Sequence, residues 1–163
     1  MRKLLYITVN SKPEKISASK TVGRRFVSKF IEKNADFKVE EVDLYKVNLP
    51  RLEYKYFKGR NCAVDGKIKD NLNDQDKKEL DQIVKLAQQF VSADAYAIAV
   101  PMWSLSFPSP LKEYVDCIMQ HGITIEISPE HMGGLLGDKK RSAVYIQSSG
   151  AKMTWLTHSL DKV

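Results

Sequence analysis

The chain has 163 residues and a mass of 18.6 kDa, enough for one globular domain with a substantial core and too few for two. Hydrophobic residues make up 43% and charged residues 28%, which excludes a disordered tail or a collagen-like repeat; no apolar run approaches the roughly 20 residues that cross a bilayer, so neither a membrane span nor a signal peptide is predicted and a cytoplasmic location is expected. The net charge of +6 sits in the first third, where residues 1–60 hold 15 Lys or Arg against 7 Asp or Glu while residues 61–163 hold 11 against 13; spread over several elements, it reads as a solvated face, or as a field for small anions, and not as a nucleic-acid surface.

Lys3 to Val9 alternate around Leu4, Leu5, Tyr6, Ile7 and Val9 and stop at Asn10-Ser11-Lys12-Pro13, which predicts a buried strand entering a loop. Ser17 can cap the helix that follows, where Val22, Phe26 and Phe30, with Val27 and Ile31, recur at helical spacing and Arg24, Arg25 and Lys29 fall on other faces. Phe37 to Leu44 predicts a second strand, and residues 48–73 a long polar connection with Pro50, Gly59 and Gly66. From Asp74 onward, Leu80, Ile83, Val84, Ala87, Phe90 and Val91 give a helix with one apolar face. Ala95 to Val100, between Asp94 and Pro101, has the character of a strand buried on both faces. A third helix starts near Pro110, whose missing N–H costs nothing in a first turn, and carries Leu111, Val115 and Ile118 on one stripe. Ser142 to Gln147 is the last predicted strand.

Strands alternating with helices need crossover connections, so the predicted class is α/β, a doubly wound parallel sheet forming one domain over residues 1–163. Ligands of such sheets bind beyond the carboxyl ends of the strands, where the strand order reverses, which singles out loops 10–19, 101–109 and 148–152. In the first loop Ser11, Ser17 and Ser19 offer hydroxyls, and Ala18 and Ser19 offer backbone N–H groups at a helix N-terminus; the set suits a phosphate, or Ser17 simply caps its helix. Neither G-x-G-x-x-G nor G-x-x-x-x-G-K-[ST] is present. The second loop, Pro101 to Pro110, mixes Met102, Trp103, Leu105 and Phe107 with three serines and three prolines, and reads either as a rigid wall for a flat ligand or as core. Ser148-Ser149-Gly150-Ala151 is either a site of close backbone approach to a ligand or a plain strand-end turn. Cys62 and Cys117 lack C-x-x-C spacing and His121, His131 and His158 are scattered, so no metal site and no disulfide framework are expected.

Taken together, the three loops resemble those of the FMN-dependent NADH azoreductases and quinone reductases, a branch of the flavodoxin-like superfamily once named acyl-carrier-protein phosphodiesterases. The most specific stretch runs from Ala99 to Asp116 and is similar to the family pattern P-M-[WY]-N-x-x-x-P-x-x-L-K-x-[YW]-x-D. The resemblance implies FMN as cofactor, with its phosphate held by Ser11, Ser17, Ala18 and Ser19, its ring framed by Pro101, Met102, Trp103, Ser104 and Leu105 and hydrogen-bonded by backbone N–H groups of residues 103–105, and a small-residue loop at Ser148, Ser149 and Gly150. It also implies hydride transfer from NADH through FMN to a quinone or azo compound by a ping-pong mechanism, with no catalytic acid or base named, and a homodimer with Tyr54–Phe57 and the Pro110–Gln120 helix as contact candidates. His121 is the first position to consider for a further role at the active-site floor, and an ordinary turn residue before Gly122 is the other reading. Two departures stand out: Ser104 occupies a position where the family usually has Asn, and loop 148–151 lacks a second glycine found in many members.

A flavodoxin-like electron carrier is the alternative, opposed by the pI of about 9.2, and a truncated flavin-binding module with little activity is another. The superfamily order 2-1-3-4-5 leaves a fifth strand and last helix unaccounted for after Ala151, where only Thr154 to Leu160 begins a helical pattern. The expectation is a C-terminally short chain, or a fourth strand whose open edge a partner subunit covers.

Overall fold

The computed structural model describes residues 1–150. Strand β1 (Arg2–Thr8) leads through a 3-10 turn (Glu14–Ile16) into helix α1 (Ala18–Lys33), followed by β2 (Phe37–Asp43), a second 3-10 turn (Tyr54–Tyr56), α2 (Gly66–Asp70), α3 (Asp74–Ser92), β3 (Ala95–Pro101), α4 (Ser109–Ile118), the short strands β4 (Ile125–Ile127) and β5 (Met132–Gly134), and β6 (Ser142–Ser148). Four strands pair in parallel in the order β2-β1-β3-β6, and β4 and β5 form a separate antiparallel pair. The chain thus runs outward from β1 to β2 and then crosses back to β3 on the other side, so the order reverses between β1 and β3.

β1 has a neighbour on each side and helices on both faces, so Leu4 to Thr8 are buried in succession and not in the alternation expected from the sequence. Leu5 and Ile7 pack with Leu80 and Ile83 of α3 and Leu111 and Tyr114 of α4, whereas Leu4 and Tyr6 pack with Val27 of α1 and with Ala97 and Ala99 of β3. Among the described residues β6 is an outer strand, and Ser142 to Tyr145 are exposed. The Thr154–Leu160 helical pattern lies outside the described residues. No helix among the described residues is long and apolar enough to cross a membrane.

The four predicted main strands and three long helices are all present, but the connection over residues 48–73 is more ordered than a plain loop. It contains the Tyr54–Tyr56 turn and α2, and Tyr56 is driven into the core, with its hydroxyl 3.3 Å from Asp76 Oδ1. Tyr54 alone of that aromatic cluster is turned fully outward. The β4–β5 pair escapes sequence reasoning because three residues are too few to display a period of two.

Helix α3 has no basic residue in its last turn to complement its carbonyl end. Arg141, at the entry to β6, supplies the charge from outside: its guanidinium donates to Val91 O at 2.9 Å, Ala93 O at 3.1 Å and Leu136 O at 2.8 Å, and pairs with Asp138 at 2.6 Å. Cys117 lies inside α4 with its thiol donating to Pro50 O at 3.3 Å, and burial pushes its pKa up to about 12. A thiol reagent at about pH 8 is therefore expected to titrate one fast equivalent, the half-buried Cys62, with Cys117 reacting only as the chain unfolds. Two fast equivalents would contradict the packing of α4.

Candidate functional site

The carboxyl ends of β1, β3 and β6 bring the three loops to one edge of the sheet. β1 ends at Thr8, after which Val9 N–H still donates to Ala99 O at 3.0 Å and Asn10 turns the chain. Asn10 is buried; its Oδ1 accepts from Lys12 N–H at 2.9 Å and its Nδ2 donates to Ser17 Oγ at 2.8 Å. Ser17 is extended and caps α1, its Oγ accepting from Lys20 N–H at 3.3 Å and lying 3.3 Å from Ser19 Oγ. Capping and ligand holding were alternatives for Ser17 in the sequence; the cap is present, and the hydroxyl retains one valence beyond it.

Two further features favour an anion here. The first turn of α1 contains no acidic residue, and the N–H groups of Ala18 and Ser19 find no acceptor among the described residues. Lys20, in the same turn, is neutralised by Asp43 of β2, Nζ to Oδ2 3.0 Å, with both side chains largely buried. Arg24 braces the loop from one turn further on, reaching Glu14 at 3.1 Å and Glu41 at 2.7 Å. Thr8, between Asp43 and Ala99 in the strand register, is 1% exposed, and its Oγ1 has no partner among the described residues. Ser17 and Ser19 are 2% and 0% exposed, whereas Ser11 is exposed and sits on the rim of a cavity of about 570 Å³ also lined by Asn10, Lys12, Tyr45 and Lys46.

The second loop is a tight turn. Trp103 N–H donates to Ser106 O at 3.0 Å and Ser106 N–H returns to Trp103 O at 2.9 Å, with Ser104 at φ 50° and Leu105 at φ 61°. Both central residues are left-handed, the pattern of a type I′ turn, which holds about 1–2 kcal/mol of strain per non-glycine residue. Asparagine tolerates this region better than serine, which gives a backbone reason for the family's Asn at position 104. The turn also corrects one expectation: Trp103 N–H is consumed by Ser106, so of residues 103–105 only Ser104 and Leu105 keep N–H groups without an acceptor among the described residues. Trp103 is 40%, Leu105 80% and Phe107 40% exposed, so these side chains form a surface wall and not core. Tyr45, after β2, meets Trp103 edge to face at 6.4 Å between centroids.

The third loop is joined to the second by Met102 N–H donating to Ser148 O at 2.7 Å. Ser149 and Gly150 are exposed, and a Cβ added at Gly150 would meet nothing within 4 Å among the described residues. His121 is held by the hairpin that follows it: its Nδ1 accepts from Ile127 N–H at 3.0 Å, which leaves the proton on Nε2. That bond fits the turn reading and leaves Nε2 to other partners. Asn10, Tyr45 and the Lys20–Asp43 pair were not singled out from sequence; Asn10 carried a visible signal as a turn residue closing a buried strand, and Tyr45 carried none.

An open α/β sheet with a helix N-terminus and an apolar wall on opposite sides of its switch point defines a doubly wound protein with a ligand crevice at that point. The chain belongs to the family described as having a flavodoxin-like fold, whose model matches residues 2–162. Among its relatives, an FMN-dependent NADH:quinone oxidoreductase of Clostridium botulinum (strain Eklund 17B / Type B) is 60% identical over 157 residues, 96% of this chain and 73% of the relative. The protein of the same description from Ruminiclostridium cellulolyticum is 49% identical over 156 residues, again 96% and 73%. A solved structure of an FMN-dependent NADH-azoreductase from Bacillus anthracis str. Ames Ancestor in complex with FMN superposes with a TM-score of 0.78 at 25% identity, covering 96% of this chain and 75% of that one.

Proposed function

We propose that this chain is an FMN-dependent oxidoreductase that moves reducing equivalents from NADH to quinones or azo compounds, with the two substrates using one site in turn in a ping-pong cycle. The observation that carries the reading is the donor-rich N-terminus of α1, with no acid in its first turn, standing at the same sheet edge as an exposed aromatic wall. The donor set fits a phosphate ester, and the kinship with FMN-dependent NADH:quinone oxidoreductases supports FMN as its bearer.

Bound there, FMN supplies the two-electron redox chemistry, and the protein supplies binding and orientation. The Ser19 hydroxyl and the Ala18 and Ser19 N–H groups would hold the phosphate, with the Ser17 hydroxyl behind Ser19 and Ser11 at the rim. Ser104 and Leu105 N–H groups are the free donors for an acceptor-rich ring edge, where they favour negative charge. Pro101 fixes the start of the wall, Met102, Trp103 and Leu105 frame it, and Ser148, Ser149 and Gly150 leave room on the far side. The homodimer belongs to this reading, with Tyr54 and, on and just after α4, Val115 and Met119 as exposed apolar contacts.

The test is reconstitution followed by anaerobic NADH. Bound FMN is expected to lose its visible absorbance bands on NADH addition and to regain them when a quinone is added. Flavin that binds but stays oxidised under NADH would replace the reductase with an electron carrier, and protein that takes up no flavin would end the reading.

A further inference from the structure

We propose that Asn10 is a positioning residue that forces the Ser17 hydroxyl to act only as a donor, so that the loop after β1 selects an acceptor-only phosphate monoester and separates FMN from its dephosphorylated form, riboflavin. This rests on the FMN reading above and assigns a residue to the phosphate end of that site.

The argument is a hydrogen-bond account. Lys12 N–H can only donate, so the atom of the Asn10 amide that faces it at 2.9 Å is the carbonyl oxygen. The opposite atom, 2.8 Å from Ser17 Oγ, is then the amide nitrogen, and it donates. Asn10 is buried, so no water competes for the amide from bulk solvent. Lys20 N–H is a second donor to the same oxygen, at 3.3 Å. A serine oxygen has two lone pairs and one hydrogen. Both lone pairs of Ser17 are filled, and its hydrogen is the sole valence left.

The direction of the next contact follows. Ser19 Oγ lies 3.3 Å from Ser17 Oγ, and Ser17 has no lone pair to offer it, so Ser17 donates and Ser19 accepts. The Ser19 hydrogen is passed on in turn, and no acceptor for it exists among the described residues, although Ser19 is fully buried. A buried donor without an acceptor is costly, and the Ser19 N–H beside it is in the same condition, while the N–H of the exposed Ala18 also has no acceptor among the described residues. The cradle therefore ends entirely in donors. An ionised phosphate, with acceptor oxygens only, satisfies it, whereas a hydroxyl brings a hydrogen of its own and matches it poorly. Asn10 sets this polarity without touching the ligand.

The experiment measures dissociation constants of FMN and of riboflavin by flavin fluorescence for the full chain, Asn10→Ala, Ser17→Ala and the double variant. The wild-type chain is expected to prefer FMN, Asn10→Ala to reduce that preference by about tenfold, and Ser17→Ala by as much or more, with riboflavin affinity unmoved in each. The double variant is expected to be no worse than Ser17→Ala alone, because Asn10 acts through Ser17. Additive losses would overturn the proposal by giving Asn10 a contact of its own, and an unchanged FMN preference in Asn10→Ala would overturn it outright. A parallel fall in FMN and riboflavin affinity would assign Asn10 to the fold of the loop and not to its polarity. A wild-type chain that binds neither flavin would instead overturn the FMN reading on which the proposal stands.

Discussion

Replacing Ser17 and Ser19 together by alanine is expected to raise the FMN dissociation constant about ten- to a hundredfold. The Ser19 hydroxyl stands to make a hydrogen bond to a charged oxygen, worth about 1.5–3 kcal/mol, and the Ser17 hydroxyl, donating to Ser19 Oγ, orients it. The two residues are not equivalent. Ser17 also caps α1 through Lys20 N–H, so Ser17→Ala costs about 0.5–2 kcal/mol of stability in addition, while Ser19→Ala removes no cap. Ser17→Asp separates the two roles: aspartate is as good a cap as serine and complements the helix dipole, but its carboxylate occupies the anion position. The expected result is unchanged or slightly raised thermal stability with FMN binding abolished. Titration of the apo chain with FMN, alongside a thermal melt of each variant, checks both. Retained FMN affinity in Ser17→Asp would move the phosphate away from α1.

How much of this was legible beforehand differs between backbone and site. The strands announced themselves because burial on both faces leaves mostly apolar stretches at Leu4–Val9, broken only by Thr8, and at Ala95–Val100, bounded by Asn10-Ser11 and by Pro101. Loop chemistry was legible as composition: serines before a helix, aromatics among prolines. What composition could not reveal was the allocation of valences. That Trp103 N–H is spent on Ser106, that Ser104 and Leu105 adopt left-handed backbone, and that Asn10 fills Ser17 all depend on which groups end up within 3 Å of one another. Tyr56 and Tyr54 make the same point: two aromatics two residues apart in a polar connection look alike in sequence, and a single 3-10 turn sends one into the core and the other to solvent.

The site also depends on a contact that looks unremarkable in the sequence, Gly23, and its replacement by alanine is expected to destabilise the protein despite the higher helix propensity of alanine. A Cβ at this position would lie 2.6 Å from Tyr6 Oη and 2.8 Å from Ala99 Cβ. Neither neighbour yields cheaply: Tyr6 is fully buried with its hydroxyl donating to Lys20 O at 3.2 Å, and Ala99 is fixed between Thr8 and Ile146 in the sheet. Overpacking of this kind costs about 1–3 kcal/mol beyond the roughly 1 kcal/mol that alanine returns through propensity. At about 2–4 °C per kcal/mol for a chain of this size, a melting temperature lower by a few degrees is expected. The helix can relieve the clash only by lifting from the sheet, and its first turn carries Ser17, Ser19 and Lys20, so FMN affinity falls with stability. Tyr6→Phe removes the atom at 2.6 Å and leaves the one at 2.8 Å, so the double variant is expected to recover part of the loss, with a coupling of about 1 kcal/mol in a double-mutant cycle. A Gly23→Ala chain that melts higher than the wild type, with FMN affinity intact, would show that α1 does not need its closest approach to the sheet to present the cradle.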